Sequence, residues 1–454
     1  MRFVSKTGGW LQSLGVGRGS QVAVSSENMI EALAFSLAVL ASGARLVLID
    51  PLTVSEDLKT QLEGRDVALV AGSSGFLERS ISTIVESGVG RALLLNPAQT
   101  RLKTPPGAEI YSLSQPISYE GSLDDSGVGP EDDSFSVYYS GIAGMTMQAI
   151  HSHMGLWLGS QVLYKTLGIG RGDASLLATP FTHVLGFQAS LIAPLLAGAR
   201  VVALAKWNPR LAASLAADGL FSYMAGVPIM FSQLASQAAD DLLRGRIRLA
   251  LSAGAPLAPE VKSSFEDASG VSLVQAYGMS ESLILTLQTE PIAGVEGTIG
   301  VPLPGVDATL VDPESGCELN LGSTGELLVK APWLMKGYEF PEENSKAFTD
   351  GWMRTGDVIH VSQDGLFYFR GVRKRIIKYK GYAILPRDLE LVLESHPAVE
   401  RALVVGEDAG EVGQIPVARV WLRRGAKATP EELAGFVNSR VAFYKKLRRV
   451  EIMG

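Results

Sequence analysis

Apolar residues recur with a helical period and then a strand period along the first third of the chain. Helical spacing over residues 28–41 predicts a helix, and the apolar run over residues 44–50, which follows Gly43, predicts a buried strand. The same patterns predict one more helix and two more strands, over residues 56–62, 67–71 and 91–95. Helices and strands that alternate in this way form right-handed crossovers and a mainly parallel sheet. An α/β class is therefore predicted.

Later segments extend this pattern into further layers. A second alternating block covers residues 134–288, and short β-like runs, such as residues 325–329, occupy residues 293–368. A small unit then begins with a predicted helix at residues 386–395 and a predicted strand at residues 402–405. The predicted fold is a large N-terminal body of parallel-sheet α/β layers with a small β-rich subdomain, followed by a small mobile α+β lid.

We predict that the boundary between these two domains lies near Gly371. The body would then comprise residues 1–370 and the lid residues 371–454. The basic segment at residues 370–380 would contain the hinge.

Composition and charge narrow the range of partners. The 454 residues are 46% hydrophobic and 19% charged, which is enough to bury a large core. A net charge of −7 argues against a nucleic-acid partner, because no global positive field opposes the phosphates. A single cysteine, Cys317, excludes an intrachain disulfide and a cysteine-built metal site. With no secretory signal and no apolar segment of membrane-spanning length, the sequence predicts a cytoplasmic protein without a membrane span, and a peroxisomal location stays open.

Ligands of parallel sheets bind beyond the carboxyl ends of the strands, so the junctions between strands and loops are where chemistry is expected. Ser140, Gly141 and Gly144, which follow a predicted strand, are small enough for their backbone N–H groups to cradle a phosphate. Taken alone, this fragment is better explained by an ordinary turn of small residues.

Two later segments carry more specific chemistry. Residues 274–281, Val-Gln-Ala-Tyr-Gly-Met-Ser-Glu, end in Glu281, a hard oxygen ligand of the kind that Mg²⁺ takes together with substrate phosphates. Residues 350–357, Asp-Gly-Trp-Met-Arg-Thr-Gly-Asp, end in Asp357, whose carboxylate can accept two hydrogen bonds at once.

Together these segments resemble the motifs of the adenylate-forming superfamily, and most closely those of acyl-CoA synthetases and 4-coumarate–CoA ligases. Residues 140–148 are similar to Ser-Gly-Thr-Thr-Gly-x-Pro-Lys-Gly, residues 275–281 to Gln-x-Tyr-Gly-x-Thr-Glu, and residues 351–357 to Gly-Trp-x-x-Thr-Gly-Asp. Weaker likenesses occur at residues 180–186, 252–256 and 369–381.

The resemblance implies a set of site residues. Catalytic roles fall on His183, Ser280, Glu281 and Lys378, with Glu281 also the ligand of Mg²⁺ and Lys374 at the hinge. The positions implied for nucleotide binding are Ser140, Gly141, Gly144, Gly254, Ala255, Pro256, Tyr277, Gly278 and Asp357. The implied cofactors are ATP or AMP, Mg²⁺ and CoA.

The same resemblance implies a carboxylic acid as substrate, with CoA, a carrier-protein thiol or an amine as acceptor. The side chains that we expect around the acyl group are Tyr223, Val227, Ala276 and Leu283. Their apolar character favours an apolar acid. An aryl acid and an aliphatic acid of medium length both remain open.

This sequence departs from the family pattern at several positions. Ile142 and Ala143 replace two hydroxyl donors of the phosphate loop, Thr146 replaces its proline, and Met147 replaces its lysine. Both ends look clipped, and the segment that carries the family's last catalytic lysine would follow residue 454. Losing two cationic contacts would slow adenylation by ~10³–10⁵-fold, because two anions must meet at the α-phosphorus.

Three hypotheses follow from these observations. The first is an ATP-dependent acyl-CoA ligase whose adenylation is slow or altered. The second is a degenerate homologue that binds nucleotide or acyl ligand without turnover. The third is a repurposed acyl-transfer or condensation enzyme. It would use His183 and the acyl tunnel, since the resemblance at residues 180–186 places this histidine at the gate of the acyl and pantetheine tunnels.

Overall fold

The computed structural model describes residues 2–96, 104–125, 127–140, 146–237, 242–289, 292, 294–312, 315–372, 377–384 and 386–453. Its α-helices are α1 Arg2–Ser13, α2 Ile30–Ala41, α3 Ser55–Leu62, α4 Ser74–Glu86, α5 Ser114–Ser118, α6 His153–Leu167, α7 Ala193–Leu196, α8 Pro209–Ala217, α9 Pro228–Ala235, α10 Pro259–Ser269, α11 Pro341–Ala347, α12 Pro386–Glu394 and α13 Pro430–Asn438. A π-helical segment, Leu185–Ile192, leads directly into α7. Short 3₁₀ turns lie at Gly410–Val412 and Phe443–Lys445.

Strands β1 to β13 are β1 Gln21–Ser25, β2 Arg45–Leu48, β3 Val67–Gly72, β4 Arg91–Leu94, β5 Glu109–Ser112, β6 Asp133–Ser140, β7 Thr146–Ser152, β8 Ala174–Leu177, β9 Arg200–Ala203, β10 Tyr223–Gly226, β11 Leu249–Ser252, β12 Leu273–Met279 and β13 Leu283–Leu287. Strands β14 to β26 are β14 Val301–Pro302, β15 Asp307–Val311, β16 Glu318–Leu319, β17 Thr324–Lys330, β18 Gly337–Tyr338, β19 Phe348–Thr349, β20 Trp352–Val361, β21 Phe367–Val372, β22 Ile377–Tyr379, β23 Tyr382–Ile384, β24 Val399–Asp408, β25 Gln414–Leu422 and β26 Arg449–Met453.

The first layer of the body is an eight-stranded sheet in the order β18-β7-β6-β2-β1-β3-β4-β5. Its strands from β6 to β5 pair in parallel, and β7 and β18 close one edge in antiparallel fashion. Successive side chains of β2 point to opposite faces, so Leu46 and Leu48 join one apolar cluster and Val47 joins another. Helices therefore cover both faces of this sheet, as the sequence predicted.

Helix α2 shows how local sequence sets the elements of this layer. It runs over twelve residues that are almost all apolar, and it ends at Ser42, where Gly43 takes a left-handed φ of 81°. Strand β2 begins two residues later. The predicted helices and strands at residues 28–41, 44–50, 56–62, 67–71 and 91–95 are confirmed, each with ends shifted by at most two residues.

A second, seven-stranded sheet has the order β14-β13-β12-β11-β10-β8-β9. Strands β9, β8, β10, β11 and β12 are parallel, and β13 turns back against β12. Tyr223 and Ala225 of β10 belong to the large apolar cluster of the first layer, whereas Met224 belongs to a separate cluster on the opposite face. Because β10, β11 and β12 run parallel in this order, their carboxyl ends lie side by side.

The remaining strands form the predicted β-rich subdomain and the lid. Strands β16, β15, β17, β20, β19 and β21 make an antiparallel sheet that contains the predicted β run at residues 325–329. In the lid, β22 and β23 form a hairpin, and β24, β25 and β26 form a three-stranded sheet beside α12 and α13. Strand β21 still pairs with β20 through Gly371 and Val372, and the domain boundary near Gly371 stays a prediction.

None of the helices in the described part of the chain is long and apolar enough to cross a membrane.

Candidate active site

The carboxyl end of β12 is the centre of the candidate site. The chain passes through Tyr277 and Gly278, turns at residues 280–282 and returns as β13. A Cβ atom at Gly278 would lie 2.0 Å from the carbonyl oxygen of Leu283, so only glycine permits this approach of the two strands. The close turn exposes part of Ser280 and turns Glu281 inward, where its side chain is 1% exposed.

Only one of the two carboxylate oxygens of Glu281 has a hydrogen-bond partner among the described residues. Its Oε1 atom accepts a hydrogen bond of 2.7 Å from the hydroxyl of Tyr338 in β18, which joins the first sheet to this turn. Its Oε2 atom is buried and has no hydrogen-bond partner among the described residues. A buried carboxylate oxygen without a partner is costly unless a cation or donor meets it. The geometry thus suits a bound cation at Oε2.

A histidine holds the backbone of the same turn. His151 of β7 lies with its Nε2 atom 2.8 Å from the carbonyl oxygen of Ser280, and its ring stacks on Phe135 at 4.6 Å. The side chain is fully buried, and burial lowers the pKa of His151 to about 4. The neutral ring therefore donates to Ser280 at neutral pH and keeps residues 280 and 281 in place.

Asp357, one of the positions implied for nucleotide binding, lies in β20 beside Tyr277. The hydroxyl of Tyr277 donates to Oδ2 of Asp357 at 2.7 Å. Burial, reinforced by the neighbouring carboxylate of Asp357, raises the pKa of Tyr277 well above its usual value. The structure thus brings together Tyr277, Gly278, Ser280, Glu281 and Asp357 on two adjoining sheets.

The predicted phosphate loop connects β6 to β7. Gly141 and Gly144 lie outside the described residues, as does the hinge residue Lys374, and Ser140 is described only by its backbone at the end of β6. Met147, which stands where the family has lysine, is 1% exposed and lies in the large apolar cluster. Its side chain therefore contributes packing at a position where the family places a charge.

The other positions predicted to bind nucleotide follow β11. Gly254, with a left-handed φ of 81°, and Pro256 are exposed, and Ala255 is half-buried. A Cβ atom on Gly254 would contact Val227 Cγ1 at 3.5 Å, which places this loop against the end of β10.

Three of the four predicted acyl-pocket residues lie toward the turn or the carboxyl end of β10, and the fourth lies at the amino end of β10. Val227 follows the carboxyl end of β10, and Ala276 and Leu283 lie on β12 and β13 near the turn. Tyr223 lies at the opposite, amino end of β10, fully buried, and its hydroxyl has no hydrogen-bond partner among the described residues. Tyr223 is thus the deepest of the four.

His183 lies between the body and the lid. Its Nε2 atom is 2.8 Å from Oδ2 of Asp50, which follows β2, and its ring meets the edge of Tyr382 with centroids 5.6 Å apart. Tyr382 belongs to the same lid hairpin as Lys378, whose backbone N–H donates to Gln414 at 3.4 Å. The lid therefore approaches the body next to His183.

Three residues that the sequence analysis did not single out for a site emerge from this geometry, namely Asp50, His151 and Tyr338. Each supports a predicted residue through a contact between distant parts of the chain. The Tyr-Gly-x-x-Glu spacing at residues 277–281 gave no sign of them. His151 lies three residues beyond the stretch compared with the phosphate loop, so it was close to that motif but outside it.

Comparison with known proteins agrees with this arrangement. The family model described as AMP-binding enzyme matches residues 2–339, and the model described as AMP-binding enzyme C-terminal domain matches residues 388–454. The chain belongs to the AMP-binding enzyme family. The predicted membership of the adenylate-forming superfamily and the predicted fold class are therefore confirmed.

Relatives of this AMP-binding enzyme include plant CoA ligases. It is similar to probable CoA ligase CCL5 of Humulus lupulus, with 29% identity over 99% of this chain and 83% of the relative. It is also similar to 4-coumarate–CoA ligase-like 9 of Oryza sativa subsp. japonica, with 30% identity over 98% of this chain and 81% of the relative. These relatives place the chain among the acyl-CoA ligase-like enzymes.

Solved structures give the same picture. Amide bond synthetase McbA from Marinactinospora thermotolerans superposes with a TM-score of 0.85 and 26% identity, over 100% of this chain and 90% of that one. A malonyl-CoA ligase with methylmalonyl-CoA and AMP bound superposes with a TM-score of 0.80 and 26% identity, over 100% of this chain and 93% of that one. ATP or AMP and CoA are the ligands typical of this family.

The described residues contain no group of three or more histidine, cysteine, aspartate or glutamate side chains that could hold a metal ion. A lone carboxylate such as Glu281 nevertheless fits Mg²⁺, which proteins often bind through one or two carboxylates and substrate phosphates. The partnerless Oε2 atom is the group that would meet the ion. Mg²⁺ would supply charge stabilisation to those phosphates.

Proposed function

We propose that this protein activates an apolar carboxylic acid as an acyl-adenylate and transfers the acyl group to a thiol, with CoA as the acceptor. The observation that carries this proposal is the buried Glu281, oriented by Tyr338 and left with one partnerless oxygen beside the Tyr277–Asp357 pair. The carboxylate of Glu281 and the hydroxyl of Ser280 in one turn, with Asp357 of β20 bonded to the nearby Tyr277, suit a nucleotide with a divalent ion.

The residues would divide the work of adenylation as follows. Asp357 would accept hydrogen bonds from the ribose, Glu281 would hold Mg²⁺, and Ser280 would donate to the α-phosphate. The acid's carboxylate attacks the α-phosphorus, the bond to the leaving pyrophosphate breaks, and an acyl-adenylate and pyrophosphate result. Positioning and charge neutralisation supply catalysis in such a reaction, since both reactants are anions.

The reaction is proposed to be slow. Met147 supplies no positive charge where the family's loop has lysine, and its side chain is packed in the apolar cluster. A lost charged hydrogen bond to a phosphate costs ~1.5–3 kcal/mol, or about 10- to 100-fold in rate. Nucleotide binding is less affected, because Tyr277, Ser280 and Asp357 are retained.

The acyl pocket is proposed to extend from Val227 and Ala276 at the strand ends. Small and aliphatic side chains there favour an apolar acid. The similarity to McbA, an amide bond synthetase, makes an amine the second candidate acceptor, because both acceptors would attack the same acyl carbon.

Calorimetric titration with ATP–Mg²⁺ and with AMP, followed by pyrophosphate release over a panel of carboxylic acids, tests the proposal. We expect binding of both nucleotides and release with at least one apolar acid, and we expect Glu281→Ala to abolish the release. Binding without release for any acid would instead support a nucleotide-binding homologue without turnover. A product formed with an amine but not with CoA would support the second acceptor.

A further inference from the structure

One connection of the body presents two carboxylates toward the lid. Asp50 follows β2, and Asp57 lies in the first turn of α3, seven residues later. Asp50 is bound to His183, whose ring contacts Tyr382 of the lid hairpin. Asp57 contacts the lid directly through an ion pair. The segment between β2 and α3 therefore forms a docking platform for the lid.

The ion pair is made by a lysine that is almost fully enclosed. Lys445 ends a 3₁₀ turn of the lid, and its side chain is 8% exposed. Its Nζ atom lies 3.0 Å from Oδ2 of Asp388 in the lid and 3.5 Å from Oδ2 of Asp57 in the body. One ammonium group thus bridges a carboxylate of each domain.

The positive charge of Lys445 lies between two carboxylates only while the lid is docked. Burial by itself would lower the pKa of Lys445, but the carboxylates of Asp388 and Asp57 raise it, so the amine stays protonated. Burial also raises the pKa of Asp388, and Lys445 opposes that rise. If the lid rotates away, Lys445 keeps Asp388 but loses Asp57. The Asp57 contact is therefore specific to this orientation of the lid.

The bridge is continuous with the hairpin that reaches the candidate site. Tyr444, next to Lys445, stacks on Tyr382 with ring centroids 4.3 Å apart. At the hairpin turn, Gly381 has a left-handed φ of 82°, and a Cβ atom there would lie 2.7 Å from Val227 Cγ1. Moving Lys445 would therefore move the hairpin away from His183 and Val227.

We propose that Asp57 is a positioning residue, whose ion pair with Lys445 holds the lid in the orientation used for acyl transfer to the acceptor. This inference rests on the proposed function. In that step the acceptor thiol attacks the acyl carbon, the bond from that carbon to the phosphate oxygen breaks, and AMP and a proton are released. The docked hairpin borders His183, which the family resemblance places at the entrance of the acyl and acceptor tunnels. Adenylation does not depend on this contact.

The first measurement follows the lid directly and needs no turnover. The exposed Cys317 in the β-rich subdomain and an introduced Lys427→Cys on the lid provide two spin-label sites. The variant is Asp57→Asn, with Asp57→Glu as the conservative rescue. The matched control is Glu56→Gln, which removes the same charge from an exposed neighbour on α3. We expect the ratio of docked to undocked protein to fall about three- to ten-fold in Asp57→Asn only.

The second measurement separates the two half-reactions. With the most active acid from the panel, we expect acyl transfer to CoA in Asp57→Asn to fall by a similar factor. Pyrophosphate exchange should remain within about two-fold of the parent. The melting temperature should fall by no more than a few degrees, because Lys445 keeps Asp388. A distance distribution or transfer rate in Asp57→Asn that equals that of Glu56→Gln would overturn the proposal. Absence of pyrophosphate exchange in the parent would refute the proposed function alone, and the distance measurement would still test the ion pair.

Discussion

His151 donates a hydrogen bond from Nε2 to the carbonyl oxygen of Ser280 over 2.8 Å, and these two residues are 129 positions apart in the chain. Because the ring is fully buried and stacked on Phe135, it cannot accept a second proton without placing a charge in an apolar environment. The turn that carries Glu281 is thus held by a neutral imidazole.

This arrangement predicts a loss of stability in mild acid. An unfolded chain protonates His151 below about pH 6.5, whereas the folded protein does so only below about 4. The unfolded state therefore binds more protons between these values, and the free energy of unfolding falls by up to ~3 kcal/mol as the pH drops from 6.5 to 4. Urea unfolding at pH 7 and pH 5 measures this, with a fall of about 2 kcal/mol expected from His151.

In His151→Gln the amide can still donate to Ser280 but does not titrate, so this part of the pH dependence should disappear. His360→Gln, a substitution at a half-buried histidine of β20, serves as the control and should leave it intact. An unchanged pH dependence in His151→Gln would contradict the assignment.

Tyr338→Phe should slow adenylation more than it weakens nucleotide binding. The substitution removes the donor to Glu281 Oε1 and leaves a buried carboxylate with fewer partners. Loss of a hydrogen bond to a charged group costs ~1.5–3 kcal/mol, which corresponds to about 10- to 100-fold in pyrophosphate release. A Mg²⁺ titration of that rate should also require more of the ion.

Tyr277→Phe is the contrasting variant, because it removes the hydroxyl bonded to Asp357. We expect it to alter AMP affinity in calorimetry and to leave the Mg²⁺ requirement unchanged. Equal effects of both tyrosine variants on the Mg²⁺ requirement would show that Tyr338 does not act through Glu281.

Met147→Lys should accelerate adenylation. A lysine at this position would restore a cation beside the phosphate loop, and a charged hydrogen bond to a phosphate is worth about 10- to 100-fold in rate. Pyrophosphate release under saturating ATP measures the gain. Met147→Leu keeps the apolar packing and should leave the rate as it is.

Met147→Lys should destabilise the protein in the absence of nucleotide, because residue 147 is 1% exposed in the apolar cluster. Its melting temperature should recover when ATP–Mg²⁺ is added, since a ligand that binds only the folded state stabilises it. Faster adenylation would support the proposal that Met147 limits the rate, and an unchanged rate in a folded variant would refute it.

Tyr223→Phe should stabilise the protein by about 1 kcal/mol. The hydroxyl of Tyr223 is fully buried and partnerless among the described residues, and a buried hydroxyl without a hydrogen bond costs ~1–3 kcal/mol in proteins. Thermal unfolding measures the gain. Tyr138→Phe is the control, because the hydroxyl of the half-buried Tyr138 bonds to Gln61 and Gln148, and its removal should destabilise the fold.

The acid panel gives a second result with Tyr223→Phe. If acids with a polar far end lose activity while apolar acids keep it, the hydroxyl contacts the substrate at the base of the pocket. If the order of the acids is unchanged, Tyr223 only packs.

Local sequence was enough to predict the elements of the body. The apolar helix before Gly43 and the apolar run of β2 each depend on neighbours in the chain, and both are found. The closeness of Tyr277, Ser280 and Glu281 was also predictable, because these residues are nearly consecutive and their spacing is itself the motif.

The contacts that hold those residues were not predictable from the sequence. Tyr338 and Glu281 are 57 positions apart, and His183 and Asp50 are 133 apart. Such pairs are set by which strands become neighbours in the sheets, and a single sequence gives no measure of that order. Asp50 in particular looks like an ordinary residue before Pro51 in a turn.

The turn at Gly278 has a consequence for engineering the choice of acid. Any side chain at 278 would collide with the backbone of Leu283, and Leu283 itself has an unusual left-handed φ of 57°. A mutant library that randomises both positions would therefore consist mostly of misfolded members. Val227, which follows β10, and Ala276 in β12 do not have a left-handed φ. Substitutions at these two positions would therefore change the proposed acyl pocket while the backbone that carries Glu281 stays intact.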